Sequence, residues 1–209
     1  MLFWHRPTAA AIRAFLADQG RLELTYSAVG ATAKTPPPGY VVDHTRIRLG
    51  TGEKVFAAAK TALESWQQFR LGWLEAGPED MPIQEGQVVA ILARSIGLWW
   101  LNACRIVAVV NEEGPVLRFG FAYGTLPDHA GSGEERFLVE CDQADDSVWY
   151  DIRAFSRPRH FLTKLGYPWM RRIQKRFGRE SAAVMCQIVG EAGTRPSCAS
   201  PGASSSALQ

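Results

Sequence analysis

The sequence predicts one α+β domain in which a curved antiparallel β-sheet grips a long C-terminal helix. Three observations carry that prediction. Residues 69–156 read as strand and turn throughout, with no helical period. A long amphipathic segment follows them. The chain has 209 residues and 46% hydrophobic content, enough to bury one substantial core and too little for two.

The elements follow in order. Residues 8–19 place Ile12, Phe15 and Leu16 at helical spacing, with Thr8 as the cap. Pro36-Pro37-Pro38-Gly39 breaks the chain. Residues 40–49 are dense in β-branched side chains (Val41, Val42, Thr45, Ile47) and predict a strand, closed by Gly50-Thr51-Gly52. Phe56, Ala59, Leu63 and Trp66 form one stripe and predict a helix over 53–68. Apolar runs at 87–94 and 99–110 are separated at Gly97, and residues 111–115 turn the chain. Over 116–124, Leu117, Phe119, Phe121 and Tyr123 alternate with Arg118, Gly120, Ala122 and Gly124. That strand has one aromatic face and one nearly bare face, and glycine there marks bending or the close approach of another group.

A polar loop over 125–134 leads to a strand at 135–141, a turn at Asp145-Asp146 and a strand at 148–155. Ser156 reads as the cap of the last element, which runs from Pro158 to about Ile188 with Leu162, Leu165, Trp169, Ile173 and Phe177 as its stripe. Pro168 must start a helix or kink one, because it lacks an N–H. These limits give a single domain over 1–190 and a disordered tail rich in Ser, Ala and Pro over 191–209. The order of elements is similar to the helix-grip layout of START and Bet v 1-like proteins, in which a sheet wrapped around a helix leaves a cavity between them. Layout alone does not give function.

Composition narrows the setting. Residues 1–150 hold 13 Lys/Arg against 18 Asp/Glu, and residues 151–209 hold 10 against 3. The basic end is explained by a solvated helix face pairing with the acidic body, or by an anionic partner. Nothing in it forms a nucleic-acid module, so no nucleic acid is expected. The four cysteines form no C-x-x-C pair, and Cys104 and Cys141 sit in apolar runs as small hydrophobes. There is no export signal and no run of about 18 apolar residues, so the expectation is a cytoplasmic protein without a transmembrane segment. No metal and no cofactor are expected. The glycines at 50 and 52 lack both the third glycine of a dinucleotide fingerprint and the Gly-Lys-Ser/Thr of a phosphate loop.

Several phrases point to a family. Arg118-Phe119-Gly120-Phe121-Ala122-Tyr123-Gly124-Thr125-Leu126-Pro127, running on through His129 to Gly133-Glu134-Glu135-Arg136-Phe137, is the most specific. Asn102 to Val107, Val148 to Ile152, Ala154 to Pro158, Val29-Gly30-Ala31-Thr32 and Pro38-Gly39-Tyr40 accompany it. Over residues 20–180 the chain resembles the domain-of-unknown-function 1990 family, also called the UPF 0548 family. The resemblance implies a one-domain cytosolic protein and brings no reaction with it.

Three functions remain open. The first is binding of a small hydrophobic or amphipathic ligand in the cavity, with Phe119, Phe121, Tyr123, Trp149 and Trp169 as walls and Arg105 gripping an anionic head. The competing account of Arg105 is an edge residue reaching water. The second is an enzyme using His129, Glu134 and Glu135 as acid and base, against the plainer reading of a solvated turn paired with arginines. Asp151, Ser156 and His160 have no nucleophile elbow and make a poor triad. The third is an interaction module on the basic helix, through Arg171, Arg172, Lys175, Arg176 and Arg179. Whether a protein partner exists is not legible.

Overall fold

Runs of β-branched and aromatic residues, each followed by a tight polar turn, return the chain beside itself and build one antiparallel sheet. The computed structural model describes residues 1–78, 81–159 and 167–192. Its strands are β1 (Leu2–Phe3), β2 (Val41–Thr51), β3 (Leu74–Gly77), β4 (Val88–Ser95), β5 (Leu98–Glu112), β6 (Val116–Thr125), β7 (Gly131–Asp142) and β8 (Ser147–Pro158). Its helices are α1 (Ala9–Gln19), α2 (Glu53–Glu64) and α3 (Tyr167–Ala192). The strands lie in the order β2-β8-β7-β6-β5-β4-β3, with β1 beside the start of β5. The sheet curls, and α3 lies across its concave side, so the predicted helix-grip class is the one the chain adopts.

Local chemistry sets the ends. Thr8 caps α1 by accepting the Ala11 N–H at 3.2 Å. Gly52 opens α2 at a φ of 89°, a left-handed conformation that costs glycine little. Pro168 falls in the first turn of α3, where its missing N–H costs nothing. Two predicted boundaries move. β7 starts at Gly131 rather than 135, so the loop before it is short, and β8 continues past Ser156 to Pro158. Ser156 is therefore a strand residue, not a helix cap. The predicted helix start at 158, with Leu162 and Leu165, and the predicted tail beyond 192 lie outside the described residues, as does His160.

Alternation along the strands assigns the two faces. On the concave side Phe119 and Phe121 of β6, Phe137 and Val139 of β7, Tyr150 of β8 and Leu49 of β2 pack beneath α2 and its following turn. The rings of Trp66 and Phe121 are 4.9 Å apart. This half of the sheet is filled solid. α3 adds Phe177, Met185 and Val189, all buried, each worth roughly 1.5–3 kcal/mol in transfer. It seats closely on β2, because a Cβ at Gly178 would lie 2.8 Å from Thr45 Oγ1. On the convex side α1 covers β4 and β5 through Ile12, Phe15 and Leu16. The segment before β2 lies on the bare face of β6: a Cβ at Gly124 would stand 2.3 Å from the Tyr26 hydroxyl.

Candidate functional site

α2 fills only one half of the concave face. Over the other half, between the sheet and the first turns of α3, lies a cavity of about 1250 Å³. Ile91, Ile152, Phe69, Ile173 and Phe177 are among its apolar walls. Three of its polar or charged lining groups, Tyr123, Glu135 and Asp43, share one row across the sheet. The register pairs Tyr123 with Glu135, Glu135 with Ala154, and Ala154 with Asp43, so β6, β7, β8 and β2 each present one residue at the same level.

Within that row the Tyr123 hydroxyl donates to Glu135 Oε2 at 2.6 Å. Glu135 is deep in the molecule yet keeps part of its surface against the cavity. Burial disfavours its charged form and pushes its carboxyl up to about 7; the Tyr123 hydrogen bond opposes this, and the Asp43 charge adds to it. Burial also holds the Tyr123 hydroxyl well above the usual phenol range. Asp43 is gripped by Arg171 of α3 in a forked pair, with Nη2 to Oδ1 at 2.6 Å. Arg171 Nη1 also donates to Gln174 Oε1 at 2.7 Å, and Gln174 Nε2 donates to Ser156 Oγ at 2.9 Å. Helix and sheet are thus tied together at the cavity wall.

Glu134 points the other way. On the convex face its carboxylate accepts from the Tyr26 hydroxyl at 2.7 Å, Gly30 N–H at 2.7 Å, Thr32 N–H at 3.0 Å and the Thr32 hydroxyl at 2.5 Å. It anchors the segment at 26–32 to the sheet. His129, in the turn before β7, is half-buried and lines the cavity; its hydrogen bonds stay within its own turn, the Gly131 N–H lying 3.0 Å from Nδ1. Burial lowers its imidazole to about 4, so the ring is neutral at pH 7.

The other predicted residues divide by face. Tyr123 lines the cavity, and Trp169 stands half-exposed at its rim with Nε1 donating to Ser95 Oγ at 3.2 Å. Phe119 and Phe121 are on the concave face but belong to the solid half, under α2. Arg105 is on the convex side, where its guanidinium donates to the carbonyls of Gly20 and Leu22 at 2.8 and 2.9 Å and ties down the chain after α1. Trp149 is also outside: the Arg46 guanidinium lies 5.0 Å from its ring centroid, and its Nε1 donates to Ser147 Oγ. Asp151 faces the same way, bonded to His44, Arg46 and Arg136. The basic residues of α3 are partly spent inside the molecule: Arg171 on Asp43, and Arg176 on Glu180 and over the Trp73 ring. Sequence reasoning missed Asp43 and Gln174. Polar residues stand on both faces of the 40–49 run, so its alternation did not say which face looks inward. Among the described residues no group of three His, Cys, Asp or Glu side chains is placed to hold a metal ion, and no helix is long and apolar enough to cross a membrane.

Comparison with known proteins places the chain. The family model described as a domain of unknown function, DUF1990, matches residues 25–184. A UPF0548 protein of Dictyostelium discoideum is 34% identical over 208 residues, covering 91% of this chain and 96% of that protein. The chain belongs to this family. Another UPF0548 protein, from Deinococcus radiodurans, is 33% identical over 203 residues, covering 91% of this chain and 100% of its own length. Among solved structures the chain is similar to Ara h 8.0201, with a TM-score of 0.46, 9% identity, and coverage of 73% of this chain and 99% of that one. It is also similar to norcoclaurine synthase from Thalictrum flavum, with a TM-score of 0.44, 12% identity, and coverage of 83% and 98%. The phrases by which the family is recognised in the sequence meet in the folded chain: Gly30 and Thr32 close on Glu134, and Gly124 leaves room for Tyr26.

Proposed function

We propose that this UPF0548 protein binds a small, largely apolar molecule in the cavity between the concave sheet and α3. One observation carries the reading: half of the concave face is packed solid under α2, while the other half borders a partly open cavity of about 1250 Å³ with mostly apolar walls. Protein interiors are close-packed, and a partly open apolar cavity of this size beside a well-formed core is the usual mark of a ligand site. Polar groups among those that line it, Tyr123, Glu135 and Asp43, would orient the ligand.

A titration with N-phenyl-1-naphthylamine, whose emission rises in apolar surroundings, tests this. The native protein should show one saturable site. Ala154→Trp, which places an indole in the cavity between Glu135 and Asp43, should abolish it while the far-ultraviolet circular dichroism stays unchanged. Absence of a saturable site in the native protein contradicts the proposal.

A second reading, catalysis in the same cavity, is favoured by the Tyr123–Glu135 hydrogen bond. A carboxyl held near pH 7 is suited to taking and returning a proton. Under it, Glu135→Gln should retain binding of a substrate and lose its turnover.

A further inference from the structure

The carboxylate on the cavity wall is short of partners. Glu135 has two oxygens that together accept several hydrogen bonds, and it receives one, from Tyr123. Among the described residues no Lys, Arg or His pairs with it. The groups that face it are Tyr123 on β6, Cys104 on β5, Tyr150 on β8, and Asp43 on β2, whose charge is already answered by Arg171 of α3. Lys175 and Arg179 of α3 also line the cavity, and neither forms an ion pair with Glu135. His129 lines it as a neutral ring. A buried anion without a counter-charge is costly, so such groups pair with a cation when one is supplied.

Aromatic rings also line the cavity: Phe69, Tyr123 and Phe177, with Phe69 and Tyr123 centroids 6.2 Å apart and Phe69 and Phe177 centroids 5.4 Å apart. Rings beside a carboxylate are the surroundings that favour an organic cation, because the ring face and the carboxylate both attract positive charge.

We propose that the cavity is an organic-ammonium site, in which an apolar molecule bearing a protonated amine pairs with the Glu135 carboxylate beside the rings of Tyr123, Phe69 and Phe177. This rests on the cavity-binding reading above and names the ligand class. Bringing the ammonium in favours the ionised carboxylate, so binding releases the proton of whichever molecules hold Glu135 neutral. The ammonium supplies N–H donors to the carboxylate oxygens that Tyr123 leaves free.

Isothermal titration calorimetry with a matched series tests it: 4-phenylbutylamine, 4-phenylbutanol and 4-phenylbutyrate, each at pH 5.5 and pH 8. At pH 8 the amine should bind at least tenfold more tightly than the alcohol, and the carboxylate should bind weakest. At pH 5.5, where Glu135 is protonated, the preference for the amine should shrink to a few-fold. Glu135→Gln should bring the amine down to the level of that variant's own alcohol binding at pH 8, so that the comparison is made within one protein, and binding of either ligand reports an intact cavity. Should the alcohol or the carboxylate bind as tightly as the amine at pH 8, or should Glu135→Gln keep the amine preference, the ammonium site is wrong while cavity binding stands. Failure of all three ligands to bind contradicts both readings.

Discussion

Glu134 and Glu135 are neighbours in the chain and opposites in the fold. Strand alternation turns one to the convex face and the other to the concave face. Glu134 meets four donors from a segment about a hundred residues away and acts as an anchor. Glu135 meets one hydroxyl and a cavity, and is left with a carboxyl that titrates near neutrality. The contrast extends to the two faces. The convex face is closed by α1, by the segment ending at Tyr40 and by an ion network around Asp151 and Glu140, so these carboxylates, unlike Glu135, meet counter-charges within the molecule. The concave face is solid at one end and hollow at the other. Polar groups that the fold fully satisfies hold structure; those it leaves partly satisfied beside an open volume are free to meet a ligand.

The sharpest way to break this comparison is to remove the anchor. Glu134→Ala leaves the Tyr26 hydroxyl, the backbone N–H of Gly30 and both donors of Thr32 without their acceptor, and should cost about 3 kcal/mol or more in chemical denaturation. A loss under about 1 kcal/mol would mean that the segment holds itself without Glu134.

Glu135→Gln should act with the opposite sign. A carboxyl whose folded value lies above its unfolded one binds a proton more tightly in the folded state, so its penalty is absent below about pH 4.5 and complete above about pH 7. The glutamine variant should therefore match the native protein at pH 4 and exceed it at pH 8 by roughly 1–3 kcal/mol. Equal stability at both pH values would show that Glu135 pays no burial penalty.

Gly124→Ala probes the convex contact from the sheet side. Its Cβ would overlap the Tyr26 ring, so about 2 kcal/mol should be lost, and Tyr26→Ala in the same chain should make the further substitution nearly neutral. The smallest effect is expected for Arg105→Ala. It gives up two hydrogen bonds to the carbonyls of Gly20 and Leu22, about 1 kcal/mol of stability, and should leave titration of the cavity by N-phenyl-1-naphthylamine unchanged.

Much of the architecture was legible in the sequence because it rests on period. The stripe of α2, the meander and the long final helix follow from spacing alone. The bare face of β6 was legible as well, since glycines in a strand mark a close approach, and Tyr26 is what approaches. The site was less legible, because side-chain partners are set by distant chain. Arg105 reads equally as a cavity residue or an edge residue until the end of α1 is placed over it. Starting β7 at 135 hid the fact that Glu134 and Glu135 look in opposite directions, and the donors that decide between them lie near residue 30. Asp43 and Arg171 are joined across 128 residues, a pairing no local pattern encodes.

The most direct test of the contrast is a carbon-13 nuclear magnetic resonance titration of the Glu135 side-chain carboxyl between pH 3 and pH 9. The structure predicts a midpoint near 7, displaced downward when 4-phenylbutylamine is added, since a cation favours the charged form. A midpoint in the ordinary glutamate range near 4.5, unmoved by the amine, would contradict the account of Glu135 as an uncompensated carboxyl on a binding wall.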